Sequence, residues 1–262
     1  MAMTFIACSD DDDNNGTKFP PPSPKEQWGA TLKGDGEELG AYPDLYCNYW
    51  EYTYQADENR EMPFFLAPVS RYYPNSFTAY LYARTHLRED SVLTFSFIPA
   101  PVPTKPEEYK TAVTRYWSIC MGSASDTRSY MSICDKEARY ADGKKATFVV
   151  CLKKNPKLSA IQNKVNEMNA NGQYVNLFVW DSEKINVDGK PIGEVVAIMY
   201  RNILPDKKWE HSIATMTPTD YKNDKGEDPI DQVKNPEKQI AHKALGDYGP
   251  LGVKVSNDDF LK

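Results

Sequence analysis

The chain has 262 residues, room for one large domain or two small ones. With 40% hydrophobic and 12% aromatic residues it can bury a sizeable core. The formal net charge is −6, but Asp10 to Asp13 supply four of the negatives, so the body is near neutral and lacks the basic face of a nucleic-acid binder. No apolar run reaches the length of a membrane-spanning helix. Seventeen tyrosines and nineteen prolines, with a negative mean hydropathy, fit a strand- and loop-rich extracytoplasmic protein.

The first residues with a distinct chemistry are Phe5-Ile6-Ala7-Cys8, followed at once by Ser9 and four aspartates. Adjacent carboxylates repel and are not buried unpaired, so this run belongs to no packed core. Phe5 to Cys8 resembles a bacterial lipobox, in which the leader is cut before a lipidated cysteine. The acidic run behind it resembles the export signal of surface lipoproteins of the Bacteroidota. The resemblance implies lipidation at Cys8 and an outer-membrane or cell-surface location. The stretch MAMTFIA is shorter than a signal peptide and lacks its basic start, so the leader is expected to begin upstream or to have been trimmed. Residues 9–25, charged, then Asn- and Gly-containing, then Pro-rich, cannot bury enough apolar surface to offset ordering. They read as a disordered tether with a semi-stiff end. The expected organisation is a residual signal over 1–8, the tether over 9–25 and one domain over 26–262.

Within that domain, Tyr46 to Tyr54, Thr78 to Ala83, Ser91 to Ile98 and Thr114 to Met121 are β-rich. Pro106 starts a short helical turn through Tyr109. Asp142-Gly143 signals a hairpin before the strand Ala146 to Leu152. Leu158, Ile161, Val165 and Met168 fall on one face of a helix that Gly172 can end. Tyr174 to Trp180 and Glu194 to Arg201 are further strands, the second entered from a turn at Asp188-Gly189. Trp209, Ile213 and Met216 form a shorter helical stripe. Asn235-Pro236 reads as the start of a last helix that stops at Gly246. Short strands with frequent turn signals and few helices predict a mostly β chain, an antiparallel β-sandwich with peripheral α-helices.

Several of these words occur in a fixed order: Arg115-Tyr116-Trp117-Ser118-Ile119-Cys120, Ile133-Cys134-Asp135, Asp142-Gly143, Tyr200-Arg201-Asn202-Ile203-Leu204-Pro205 and Leu245-Gly246-Asp247-Tyr248-Gly249-Pro250. From about Tyr80 to Pro250 the order resembles a family of uncharacterised secreted bacterial proteins. Their motifs are RYWS-x-C, C-x-D, a DG hairpin, R-N-M-L-P and a closing G-x-Y-x-P. A Trp- and Pro-rich step of that family is replaced here by a helix and the turn from Val187 to Pro191. The resemblance implies a jelly-roll-like β-sandwich and brings no activity with it.

Beyond Cys8 the cysteines are Cys47, Cys120, Cys134 and Cys151, an even number that suggests disulfides in an exported protein. Three pairings are open on the residues alone. The family resemblance favours Cys120–Cys134, which leaves Cys47–Cys151. The plain alternative is free, buried thiols. No C-x-x-C and no neighbouring histidine suggests a metal site, and no cofactor motif appears.

The three histidines, His86, His211 and His242, form no catalytic motif; His86 reads as an exposed strand end, the other two as solvated helix faces. A carboxylate pair suits glycoside hydrolysis, and Glu51 and Asp135 are its least arbitrary members. Arg115 and Arg201 adjoin strands in the best-matched motifs. Either guanidinium suits a carboxylate or sulfate, and a bracing ion pair is the plainer role. In the aromatic strand, Tyr46, Trp50, Tyr52 and Tyr54 share a face, with Tyr49 on the other. Rings with polar tips suit stacking on sugars; core packing is the bland alternative. Taken together, the residues predict a lipid-anchored, non-enzymatic envelope protein. It binds a glycan or another envelope component, with Tyr46, Trp50, Tyr52, Tyr54, Arg115 and Arg201 as candidate ligand contacts. A secreted hydrolase and a structural subunit of a surface complex are the competing readings.

Overall fold

The computed structural model describes residues 61–66, 78–123, 128–216 and 240–262. These residues are mostly β, in two five-stranded sheets with a few helices. The first sheet runs, in spatial order, β1 (Glu61–Pro63), β10 (Leu251–Ser256), β4 (Ser91–Phe97), β7 (Ala146–Leu152) and β8 (Val175–Trp180). The second runs β2 (Phe65–Leu66), β3 (Thr78–His86), β9 (Val195–Ile203), β5 (Tyr116–Ser123) and β6 (Ser129–Cys134). The α-helices are α1 (Leu158–Ala170), α2 (Ala241–Leu245) and α3 (Asn257–Leu261).

Strand alternation builds the core. Leu93, Phe95 and Phe97 on β4 and Phe148 and Val150 on β7 meet Trp117 and Ile119 on β5 and Ile198 and Tyr200 on β9 in one buried cluster. The aromatic rings interlock across the two sheets. Phe97 lies 4.5 Å from Tyr200, and Phe148 stands edge-on to Trp117 at 6.4 Å, centroid to centroid. The outer face of the first sheet has its own cover. Val92, Val149, Cys151 and Val175 pack under Ile161 and Val165 of α1, with Phe260 and Leu261 of α3 alongside. Burial on both faces explains why β7 reads ATFVVCL, almost without a polar residue.

The sequence predicts purely antiparallel sheets, and one pair departs from that. β7 and β8 are parallel, with Val149 beside Leu177. A parallel pair needs a crossover, which α1 supplies from the stripe Leu158, Ile161, Val165 and Met168. Asp142-Gly143 also differs from expectation. It turns at Gly143 with φ 70°, but the flanking β6 and β7 lie in different sheets, so it is a connection and not a hairpin. Trp209 lies in an irregular turn, and only Ile213–Met216 is helical, as a 3-10 turn. The expected helix start at Asn235-Pro236 and the strand Tyr46 to Tyr54 lie outside the described residues.

The expected Cys120–Cys134 bond is corrected by the register. Cys120 faces Ser132 and Cys134 faces Ser118, so the two cysteines are diagonal neighbours, and both are free thiols. Diagonal side chains on a sheet start roughly 7 Å apart, too far for the roughly 4 Å between the Cβ atoms of a disulfide. Cys151 is likewise a free thiol; burial beneath α1 pushes its pKa up to about 12. Its expected partner, Cys47, lies outside the described residues, as does Cys8.

Candidate binding site

Of the candidate contacts, Tyr46, Trp50, Tyr52 and Tyr54 lie outside the described residues, as does Glu51. Arg201 and Arg115 are described, and each lies against a tyrosine. The Arg201 guanidinium sits 5.5 Å from the Tyr116 ring centroid, and its Nη2 donates a hydrogen bond to the Tyr116 hydroxyl. Arg115 sits 5.3 Å over the ring of Tyr109, which is 41% exposed on the 3-10 turn Pro106–Lys110. Among the described residues neither arginine meets a carboxylate, so the bracing ion pair has no partner there. The two side chains do not converge. Arg115 precedes β5, bonding through its N–H to the Ile203 carbonyl, and has the opposite strand parity to Tyr116.

Arg201 belongs to the outer face of the second sheet. Leu81, Trp117 and Tyr200 point into the core; by the two-residue period, Tyr80, Arg201, Ser118 and Cys134 form a row on the opposite face. Next along β3 come Tyr82 and Arg84, both buried. Tyr80, Tyr116 and Arg201 are only half-buried.

A second aromatic group lies where β9 ends. Leu204 adopts a left-handed φ of 51°, unusual for a bulky residue, and Pro205 follows. The chain therefore leaves the sheet sharply. The Asp206 side chain accepts from the Lys208 N–H and its carbonyl from the Trp209 N–H, closing a turn. That turn sets Trp209 and His211 against Tyr248, in the 3-10 turn Gly246–Tyr248 that follows α2. The His211 ring stacks on Tyr248 at 4.0 Å and 11°, while Trp209 stands edge-on to both, at 88° to Tyr248. All three rings are half-buried. Sequence reasoning missed this trio by reading Trp209 and His211 as helical. Pro205 followed by an aspartate two residues before Lys208 is the turn signal that identifies it.

His86 is also corrected. It is buried, not exposed, and its Nε2 lies 3.0 Å from Glu194 Oε2. Lys154 pairs with the other Glu194 oxygen and with Glu89 at 3.1 Å. Burial works to raise the Glu194 pKa, but hydrogen bonds from Lys154 and His86 outweigh it and hold the carboxyl below the ordinary 4.5. Its contribution is therefore present above about pH 4.5 and is lost as pH falls through the lowered folded value. Glu194→Gln is expected to cost less than about 1 kcal/mol at pH 7, the range of partly exposed pairs. It should also flatten the fall in melting temperature between pH 5 and pH 3. An unchanged acid limb in thermal melts would count against this role.

Asp135 is half-buried, and burial pushes its carboxyl above the usual range, against a backbone hydrogen bond at its own residue, the charge of Lys136 and a backbone hydrogen bond at Trp117. Tyr140 nearby is pushed up to about 12, by burial first and then by Asp135 and Asp142. Among the described residues no three of His, Cys, Asp and Glu gather as a metal site, and no helix is long and apolar enough to cross a membrane.

No protein-family model and no curated protein matches the chain. Among solved structures it is similar to an uncharacterised protein from Burkholderia cenocepacia, at 10% identity and a TM-score of 0.35. The match covers 59% of this chain and 34% of that one, so the chain spans about a third of that protein's length.

Proposed function

We propose that this chain is a lipid-anchored envelope protein whose jelly-roll-like β-sandwich binds a glycan, or another envelope component, without chemical turnover. The anchor is Cys8, supported by the lipobox-like FIAC and the acidic run behind it. The resemblance to secreted RYWS-x-C proteins points the same way. Support for the jelly-roll comes from strand order. With edge strands β2 and β8 set aside, β1-β10-β4-β7 and β3-β9-β5-β6 interleave the chain as two Greek keys do.

The observation that carries the binding reading is the trio of Trp209, His211 and Tyr248. Three half-exposed rings gathered at the end of a sheet offer an apolar surface with polar edges, the chemistry that stacks on the C–H face of a pyranose. The test is affinity electrophoresis of the full chain through gels holding neutral polysaccharides. Retardation is expected, and Trp209→Ala should weaken it about tenfold. A chain that no polysaccharide retards, or a Trp209→Ala protein retarded like the parent, removes the reading.

The hydrolase reading keeps one support, the burial-raised carboxyl of Asp135, which suits a general acid. Release of reducing ends by the parent and not by Asp135→Asn would favour it.

A further inference from the structure

The outer face of the second sheet has a charge asymmetry that the neutral-glycan reading does not use. The chain carries a net charge of −6, yet β3, β9, β5 and β6 contain no Asp or Glu. Two arginines, Arg84 and Arg201, lie on that face; Arg84 is buried and engaged, whereas Arg201 is half-buried, between half-buried Tyr80 and buried Ser118. Arg201 uses Nη2 on Tyr116, and its Nε is buried with no hydrogen-bond partner. Holding a partly desolvated guanidinium with an idle donor costs free energy unless an acceptor completes it, and an anion does so while also meeting the charge.

We propose that Arg201 is an anion subsite that takes the carboxylate or sulfate of an acidic polysaccharide. This proposal rests on the glycan reading above and names its ligand class. The Nε–Nη2 edge is the side that carries the idle donor, and a carboxylate or sulfate matches that fork. The Tyr116 oxygen accepts from Nη2, so its O–H is left to donate to the same anion. Tyr80 faces Arg201 across β3 and β9, while Tyr116 stands on the other side, on β5. Tyr80 is level with Ser118, so Tyr116 lies two strand spacings away and two residues further along, roughly 12 Å from Tyr80. Arg201 itself stands on the strand between them, so the sugar would lie over this face with its acidic group on the guanidinium and a tyrosine ring beside it. Tyrosine rings beside the guanidinium favour a sugar over an acidic peptide.

The test is calorimetric titration of the full chain with four probes: an oligogalacturonate, its methyl ester, a sulfated galactan oligomer and poly-L-glutamate. An acidic sugar should bind at least tenfold more tightly than the ester, and Arg201→Gln should erase that margin. Which acidic sugar binds identifies carboxylate or sulfate as the source. Tyr116→Phe, which keeps the ring and removes the hydroxyl, should reduce the margin even if Arg201→Gln fails to fold. Equal binding of ester and acid, or a margin unchanged in the variants, overturns the subsite and leaves the glycan reading standing. Binding of poly-L-glutamate alone, or of no probe while neutral glycans also fail, overturns both.

Discussion

Gly249→Ala is expected to destabilise the protein by about 3 kcal/mol, the upper end for an overpacked site. A Cβ at this position would lie 2.1 Å from the Ala241 carbonyl oxygen and 2.5 Å from the His242 nitrogen. Both obstacles are backbone, so no side chain can turn away. Gly249 has an ordinary extended φ of −92°, so the cost is contact and not conformation. The position matters because the Gly249 N–H closes the 3-10 turn on Gly246, the turn that carries Tyr248 and leads into β10. For a domain of this size the loss corresponds to a melting temperature lower by roughly 6–12 °C. Gly143→Ala is the comparison. Its φ is 70° with nothing within 4 Å, so only the left-handed conformation, about 1 kcal/mol, is at stake. Urea titration of the two variants separates the effects; a Gly249→Ala midpoint at or above that of Gly143→Ala would show that α2 does not approach this closely. The proposed polysaccharide retardation should weaken along with the stability, since Tyr248 is held by the same turn.

How far the sequence reveals this molecule depends on the physics at each position. β7 and α1 are legible because one signal dominates each. Seven consecutive apolar or β-branched residues have no other use than a strand buried on both faces. The stripe from Leu158 to Met168 has a helical period and no strand reading. β10 is hard to read even though it is central, between β1 and β4. Its buried position is Gly252, which leaves room for Met62 from β1, so the apolar residue that marks a strand's inner face comes from a neighbour. β6 is an edge strand with mixed exposure, and its SYMSIC lacks clean alternation.

The same logic divides the candidate site. Arg201 and Arg115 stand out in sequence as charged residues beside strands, and both lie against tyrosines. What the sequence could not supply is parity, which places Arg201 on the outer face and Arg115 at the sheet's end, apart from one another. The trio required a long-range fact, that the segment after Pro205 folds back onto residues 246–248. Trp209 and Tyr248 are separated by an entire connection and helix, and their contact depends on the left-handed turn at Leu204. No local propensity encodes such a turn at leucine, because its side chain disfavours it.

Phe148→Ala is expected to have the largest effect of any core truncation, about 4 kcal/mol. Phe148 is fully buried on β7, between Phe95 of β4 and Asn176 of β8 in the register. Its ring stacks on Phe95 at 5.1 Å and 12° and on Phe97 at 5.6 Å and 17°. It also meets Phe178 at 6.4 Å within its own sheet and Trp117 edge-on from the other. Removing it therefore takes one side from four aromatic contacts, each contributing beyond burial alone. Collapse is opposed because Trp117 and Phe95 are themselves fixed by strand pairing, so a cavity should persist and carry its own penalty. Phe148→Leu keeps most of the volume and loses the ring geometry, and should cost less than half as much. Measured together by thermal and urea unfolding, the pair separates volume from aromatic stacking. If both variants lose less than about 1 kcal/mol, the two sheets do not rest on a shared aromatic centre. In that case each sheet would have to draw its stability from its outer layer, which for the first sheet means the cover of α1 and α3.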